Sequence, residues 1–314
     1  MLRYVLKRLL WSIPTILLVA VSVFALIRLI PGDPALLILG DRATPETLAA
    51  LRDQLGLDRA LPVQFLLWMG NALHGDLGQS IRTGEPVLPL IIGRFQVSFE
   101  IVLPAVILSA VFAVPLGTLA AWRQNTSLDI ATVAGATLLL SIPTFWMGLL
   151  LLLLFGMRLG WLPVVGYVSI GDNWLAGLIY LVMPISTLVI HEVGGILRMA
   201  RASTLEVLRL DYVTHARVKG LSETQILLHH VVGNSFGPTW TLLGLIMGNL
   251  LGGIAIVETI FTIPGLGRLL VDAIFARDYP VIQGCLLCIS LFYVAINLVV
   301  DFVYPLFDPR VAAS

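Results

Sequence analysis

A serine between glycines, Gly233-Asn-Ser235-Phe-Gly237, fits the G-x-S-x-G spacing of a hydrolase nucleophile, with His229 and His230 nearby as bases. That chemistry needs the serine on a sharp strand-to-helix turn of an α/β sheet. Here the serine stands at the entry to a long apolar stretch, so an intramembrane hydrolase reads as a chance match in a glycine-rich chain. His191 and Glu192 form a second pair, inside another apolar stretch. Ionisable groups in hydrocarbon are costly unless paired or wetted, so they either line or gate a translocation path or join helices as a polar pair. Cys285 and Cys288 stand three apart in an apolar run and read as small packing residues. With His191 and the methionines they make no chelating spacing, so no metal site is expected. No G-x-x-x-x-G-K-[ST] phosphate loop occurs, so any ATP chemistry belongs to another chain.

The segment from Asp211 to Ile226 is more informative than any of these. It is polar and basic, lies between two stretches of membrane length, and is patterned as two short helices around one glycine. Tyr212 to Lys219 form the first, with Ala216 as its small residue. Gly220 follows where a helix ends with φ > 0, a conformation that penalises a side chain. Leu221 leads to Ser222, which caps the second helix, and Gln225 three residues on completes a capping box. Ile226, Leu227 and Val231 give that helix an apolar edge. A rigid two-helix arm hung from a membrane domain suits docking onto another protein. An ordinary loop is the plainer alternative.

The elements that position this arm follow from composition. Of 314 residues 58% are hydrophobic and only 12% charged, with a mean hydropathy of +0.95. Soluble domains carry about 25% charged residues, so this chain cannot cover a water-facing surface and reads as an all-α polytopic membrane protein. A bilayer core of ~30 Å takes about 20 helical residues. Six runs qualify, at about 9–30, 101–122, 131–157, 175–197, 238–257 and 281–304. The first follows Arg3, Lys7 and Arg8 but is too long for a cleavable signal, so it is expected to be retained. With the N-terminus inside, ten basic residues fall in cytoplasmic pieces: Arg3, Lys7, Arg8, Arg123, Arg198, Arg201, Arg209, Arg217, Lys219 and Arg310. Arg158, Arg268 and Arg277 fall in the two short outer loops. The bias puts both termini and the arm in the cytoplasm. Near helix ends, Glu258 and Asp301 are expected in structural roles where solvation is cheap, and Arg28 is expected to snorkel outward.

Residues 31–96 read as a small extracytoplasmic helical element. Thr44 before Pro45 and Glu46 opens a helix to about Leu55. A second, Leu61 to Leu73, has Phe65, Trp68, Met69 and Ala72 on one apolar side. This element either covers a pore mouth, receives a partner, or connects helices. The domain reading is therefore 1–96 for the first helix and outer element, 97–306 for a five-helix core with its cytoplasmic coupling loop at 198–235, and 307–314 for a cytoplasmic tail.

Several motifs in order make the chain resemble the permease subunit of a bacterial ABC importer in the dipeptide, oligopeptide and nickel branch. Ala216 and Gly220 match the small residue and glycine of that family's EAA loop, and His230, Asn234 and Pro238 its ending. Outside the loop, Pro31-Gly-Asp-Pro34, Leu55-Gly-Leu-Asp58, Gly75-Asp-Leu-Gly78, Ser141-Ile-Pro143, Glu258 with Ile263-Pro-Gly-Leu-Gly267, Arg277-Asp-Tyr-Pro280 and Asp308-Pro-Arg310 are similar to the branch. Thr214-His215 and Gly233 depart from its usual pattern. The resemblance implies a type I importer permease fold in the bacterial inner membrane, paired with a second permease subunit, expected as a heterodimer. It also implies two cytoplasmic ATPase subunits holding ATP and magnesium, an extracytoplasmic solute-binding protein, and a peptide cargo, with nickel as the alternative. Neither a cofactor of this chain nor nucleic acid enters that picture. A proton-coupled secondary transporter is the rival from another class, though the inverted repeats common to such folds are not visible.

Overall fold

A computed structural model describes residues 2–29, 34–39, 43–54 and 58–307. Pro31 to Asp33, Leu55 to Leu57 and the tail 308–314 with Asp308, Pro309 and Arg310 lie outside the described residues. The described residues are mostly helical, without a strand: α1 (Leu2–Leu29), α2 (Pro34–Leu39), α3 (Pro45–Gln54), α4 (Leu61–Leu73), α5 (Val87–Trp122), α6 (Ser127–Ser141) and α7 (Thr144–Leu151), which runs into a π-helical turn at Leu152–Arg158. Then come α8 (Trp174–Leu208), α9 (Asp211–Val218), α10 (Glu223–Ile226), a π-helical turn at Leu227–Val231, α11 (Val232–Gly253), α12 (Ala255–Ile260), α13 (Leu266–Ala276) and α14 (Tyr279–Val303).

Among the described residues four helices are long and apolar enough to cross a membrane, at α1, α5, α8 and α14. A fifth span arises if α6 and α7 count as one. The expected run 131–157 is not straight. It bends by 92° where Ile142 and Pro143 leave the helix, because Pro143 disfavours helix in the residue before it. Where a fifth run was expected at 238–257, α11 is long enough but too rich in glycine, hydroxyl and amide side chains to stand as a span on apolarity alone; it packs against α5, α8 and α14.

The two longest helices exceed expectation. At 1.5 Å per residue α5 and α8 are each more than ~50 Å long, so they project past a ~30 Å bilayer core. The start of α5 lies well before residue 101 because its early charges have partners: Arg94 donates to Pro264 O at 3.0 Å, and Glu100 accepts from the Tyr167 hydroxyl at 2.8 Å. Helix α8 continues to Leu208, so the first part of the stretch 198–235 is the projecting end of a long helix rather than a loop. Ser203 and Thr204 are buried there, and the Ser203 hydroxyl donates to Met199 O within the helix.

Glycine seams set how the helices meet. A Cβ on Gly117 would come within 2.5 Å of Leu197 O, and one on Gly194 within 2.6 Å of Ala136 O, so α5 and α6 lie backbone-close against α8. Gly244 and Gly248 make similar room on α11 for Val300 and Tyr293 of α14. On the outside of this bundle α1 packs along α14, with Arg8 bridging Asp301 at 3.0 Å and Tyr4 donating to Asp301 O. Phe24 of α1 meets Phe65 edge to face and Trp68 at a tilt, on the apolar side expected for α4. Arg28 places its guanidinium over the Phe24 ring. The reciprocal Thr44–Thr47 cap opens α3 at Pro45.

Candidate functional site

The arm grows out of the end of α8. After Leu208 the chain turns through Arg209 and Leu210 into α9, and Gly220 closes it. Gly220 has φ +79°, its N–H donates to Arg217 O at 2.9 Å, and the Leu221 N–H reaches Ala216 O at 3.3 Å. These two bonds are the Schellman pattern, which satisfies the last carbonyls of a helix only when the residue after it is left-handed. Nothing lies within 4 Å of where a Gly220 Cβ would stand, so the demand for glycine is conformational rather than steric. Ser222 then starts α10 with a complete capping box: the Gln225 N–H donates to Ser222 Oγ, and the Ser222 N–H donates to Gln225 Oε1.

The second short helix is not separate from the span that follows. Glu223 to Gly253 form one helical path, broken in register only by the π turn at Leu227–Val231. The arm is thus fixed to α8 on one side and to α11 on the other. Val207, Val213, Ala216, Ile226 and Val231 make a small core of its own, with Leu208 and Leu227 packed on it. Tyr212 donates to His230 O, and Arg217 pairs with Glu223 at 2.9 Å across the turn. That pair is exposed and contributes at most about 1 kcal/mol. Of the residues expected in the arm, Ala216 and Ile226 face this core. Tyr212, Lys219, Gly220, Leu221, Ser222 and Gln225 are exposed. Val218 is 81% exposed, and Leu221 and Leu228 also present apolar side chains to solvent.

His191 and Glu192 are not part of this assembly. They sit on α8 about 27 Å of helix away from Arg209. Both are half-buried, and His191 Nδ1 is buried without a hydrogen-bond partner among the described residues. Ser235 is buried in α11, where its hydroxyl donates to Val232 O; neither His229 nor His230 is hydrogen-bonded to it. No group of three or more His, Cys, Asp or Glu side chains able to hold a metal occurs among the described residues.

Three buried acids tie the bundle together, and their places were not legible beforehand. Asp129, at the start of α6, takes a two-pronged contact from Arg201 of α8 at 2.6 and 2.8 Å. Asp278 accepts from the Ser80 hydroxyl and from the Ile81 and Arg82 N–H groups, so Arg277-Asp-Tyr-Pro280 holds the loop after Gly75-Asp-Leu-Gly78. Glu258 is fully buried, contrary to the expectation of cheap solvation at a helix end. It accepts from the Ser98 hydroxyl and from the Arg268 N–H, while Ser98 Oγ accepts from the Leu266 N–H. The carboxylate thereby meets the free N–H groups at the start of α13, where negative charge is favoured. A Cβ on Gly265 would lie 2.0 Å from Glu258 Oε1, which explains the glycine between Pro264 and Leu266. At the same end of the bundle the Tyr167 hydroxyl, bonded to Glu100, is pushed up to about 12 by burial and by that carboxylate.

Residues 113–313 match the family described as binding-protein-dependent transport system inner membrane component, and residues 1–102 match the N-terminal family of such membrane components. A putative peptide transport system permease protein of Brucella suis is 42% identical over 99% of both chains. The glutathione transport system permease protein GsiC of Salmonella choleraesuis is also 42% identical over 99% of both chains. A solved amino acid ABC transporter aligns with a TM-score of 0.47 at 17% identity, covering 71% of this chain and 94% of that one.

Proposed function

This chain belongs to the family of binding-protein-dependent transport-system inner-membrane components, and from that premise we propose that it is the permease subunit of an ATP-driven importer of peptides. The peptide class is supported by relatives named for peptide and glutathione transport that match it from end to end. The observation that carries the mechanism is the arm: a two-helix element with its own core, locked by a left-handed glycine and a capping box, and continuous with two long helices.

Such an element passes on a push without absorbing it. Two ATPase subunits, which hold the ATP and magnesium, close on one another and displace the arms of this chain and of a second, homologous permease subunit. The displacement travels up α8 and α11, and the path between the two permeases opens to the other side. An extracytoplasmic binding protein delivers the cargo. The arm and both termini face the cytoplasm, in keeping with the basic residues of the arm and of the C-terminal end of α8. Tyr212, Ala216, Lys219, Gly220, Leu221, Ser222, Gln225 and Ile226 form the coupling element. His191 and Glu192, half-buried along α8, face the path or its inner gate.

The test is uptake of labelled di- and tripeptides into liposomes holding the assembled complex. Accumulation that needs both internal ATP and the binding protein supports the reading. Accumulation that persists without ATPase subunits contradicts it and returns the proton-coupled alternative.

A further inference from the structure

Displacement of the arm reaches α8 and α11 through the backbone, but α6 has no such link. It begins after the turn 123–126 and ends at the elbow of the broken span, beyond which α7 packs on α8 and α12. Between α6 and α8 the described residues make one polar link, the contact of Asp129 with Arg201. We propose that Asp129 and Arg201 are positioning residues that deliver the arm's displacement to the α6 half of the broken span. This rests on the reading of the arm given above.

Four observations support the assignment. The contact is a fork: Arg201 Nε donates to Asp129 Oδ1 and its Nη2 to Oδ2, so orientation is held as well as distance. Asp129 is 3% exposed, and its Oδ2 also accepts the Asn125 N–H at 2.9 Å, which fixes the turn from α5 to the same point. Arg201 lies two helical turns from Leu208, where α8 gives way to the arm. Farther along, the Gly194 seam holds α6 against α8 without slack, and the Gly117 seam does the same for α5. Apolar residues at 129 and 201 would hold the helices together about as well, since a buried ion pair is weak evidence of net stability. What the fork adds is a fixed angle between α6 and α8.

The test uses the complete complex in liposomes. Asp129→Asn leaves Arg201 without its counter-charge and is expected to lower both thermal stability and peptide uptake per ATP, the latter at least about fivefold, the lower end of usual coupling between sites. The double variant Asp129→Asn/Arg201→Met removes the stranded charge. It is expected to recover stability while uptake per ATP stays low. Spin labels at Ile130→Cys and Ala202→Cys, with Cys285 and Cys288 replaced by alanine, report the α6–α8 distance. A single distance shared by resting and vanadate-trapped wild type is expected, splitting in the double variant. Coupling that returns together with stability would mean the pair is only structural and would overturn the proposal, as would a wild-type distance that changes on trapping. A wild-type arm that fails to crosslink to the ATPase sinks the arm reading and this inference together. An intact crosslink with unaffected coupling in both variants sinks this inference alone.

Discussion

Replacing Gly220 isolates the geometry of the arm from everything else in the chain. Its φ of +79° lies in the left-handed region, and no heavy atom stands within 4 Å of an added Cβ. Alanine there meets no clash, so its cost is the left-handed penalty alone, about 1–2 kcal/mol. That is a factor of roughly 5–30 in the balance between the native turn and alternatives that release the Leu221 to Ala216 bond. Asparagine tolerates this conformation better, and valine worse because its branched Cβ is a true outlier there. The spans do not depend on this turn, so membrane insertion and yield are expected to hold across the series. Uptake per ATP should fall in the order glycine, asparagine, alanine, valine, with hydrolysis continuing in the valine variant. The assay is paired measurement of phosphate release and peptide accumulation in one liposome preparation. Normal transport by Gly220→Val would refute the reasoning, because the strained residue would then have no mechanical consequence.

Other expectations follow from the bundle. Gly265→Ala drives a Cβ into the buried Glu258 carboxylate, and separating that charge from its donors should cost on the order of 3 kcal/mol; an unchanged thermal midpoint in detergent would contradict the packing. Tyr167 holds its proton more tightly folded, at about 12, than its ordinary 10, so the pair with Glu100 contributes fully below pH 10 and its contribution is lost as pH rises from 10 to 12. The melting temperature should decline more steeply over that window in wild type than in Tyr167→Phe. Ser235→Ala removes a hydroxyl that donates to Val232 O in its own helix and accepts a long 3.4 Å bond from Thr204 of α8, so uptake should stay within about twofold of wild type; loss of a hydrolytic activity in that variant would revive the nucleophile reading.

The arm was legible because its signals are local. A left-handed glycine, a serine with glutamine three residues on, and an apolar edge are set by neighbours within one turn, and each appears where the residues place it. Helices α3 and α4 were legible for the same reason, through Thr44 with Pro45 and through the side bearing Phe65 and Trp68. The long-range acids were not. Asp129 drew no notice in the sequence, and Arg201 was counted only toward membrane orientation; a separation of 72 residues hides their pairing. Glu258 was misjudged because a helix end at the membrane edge reads as wet, whereas Ser98 from 160 residues away closes over it. The broken span was not foreseen: Ser141-Ile-Pro143 reads as lying within one continuous run, because hydropathy over 131–157 does not fall at the elbow.

The most direct measurement is a crosslink from Val218→Cys, the most exposed apolar position of the arm, to the ATPase subunit in the assembled transporter. Force entering through the arm predicts a specific crosslink whose yield changes between nucleotide-free and vanadate-trapped complexes. An assembled, active complex in which Val218→Cys and Leu221→Cys both fail to reach any ATPase subunit would contradict the account.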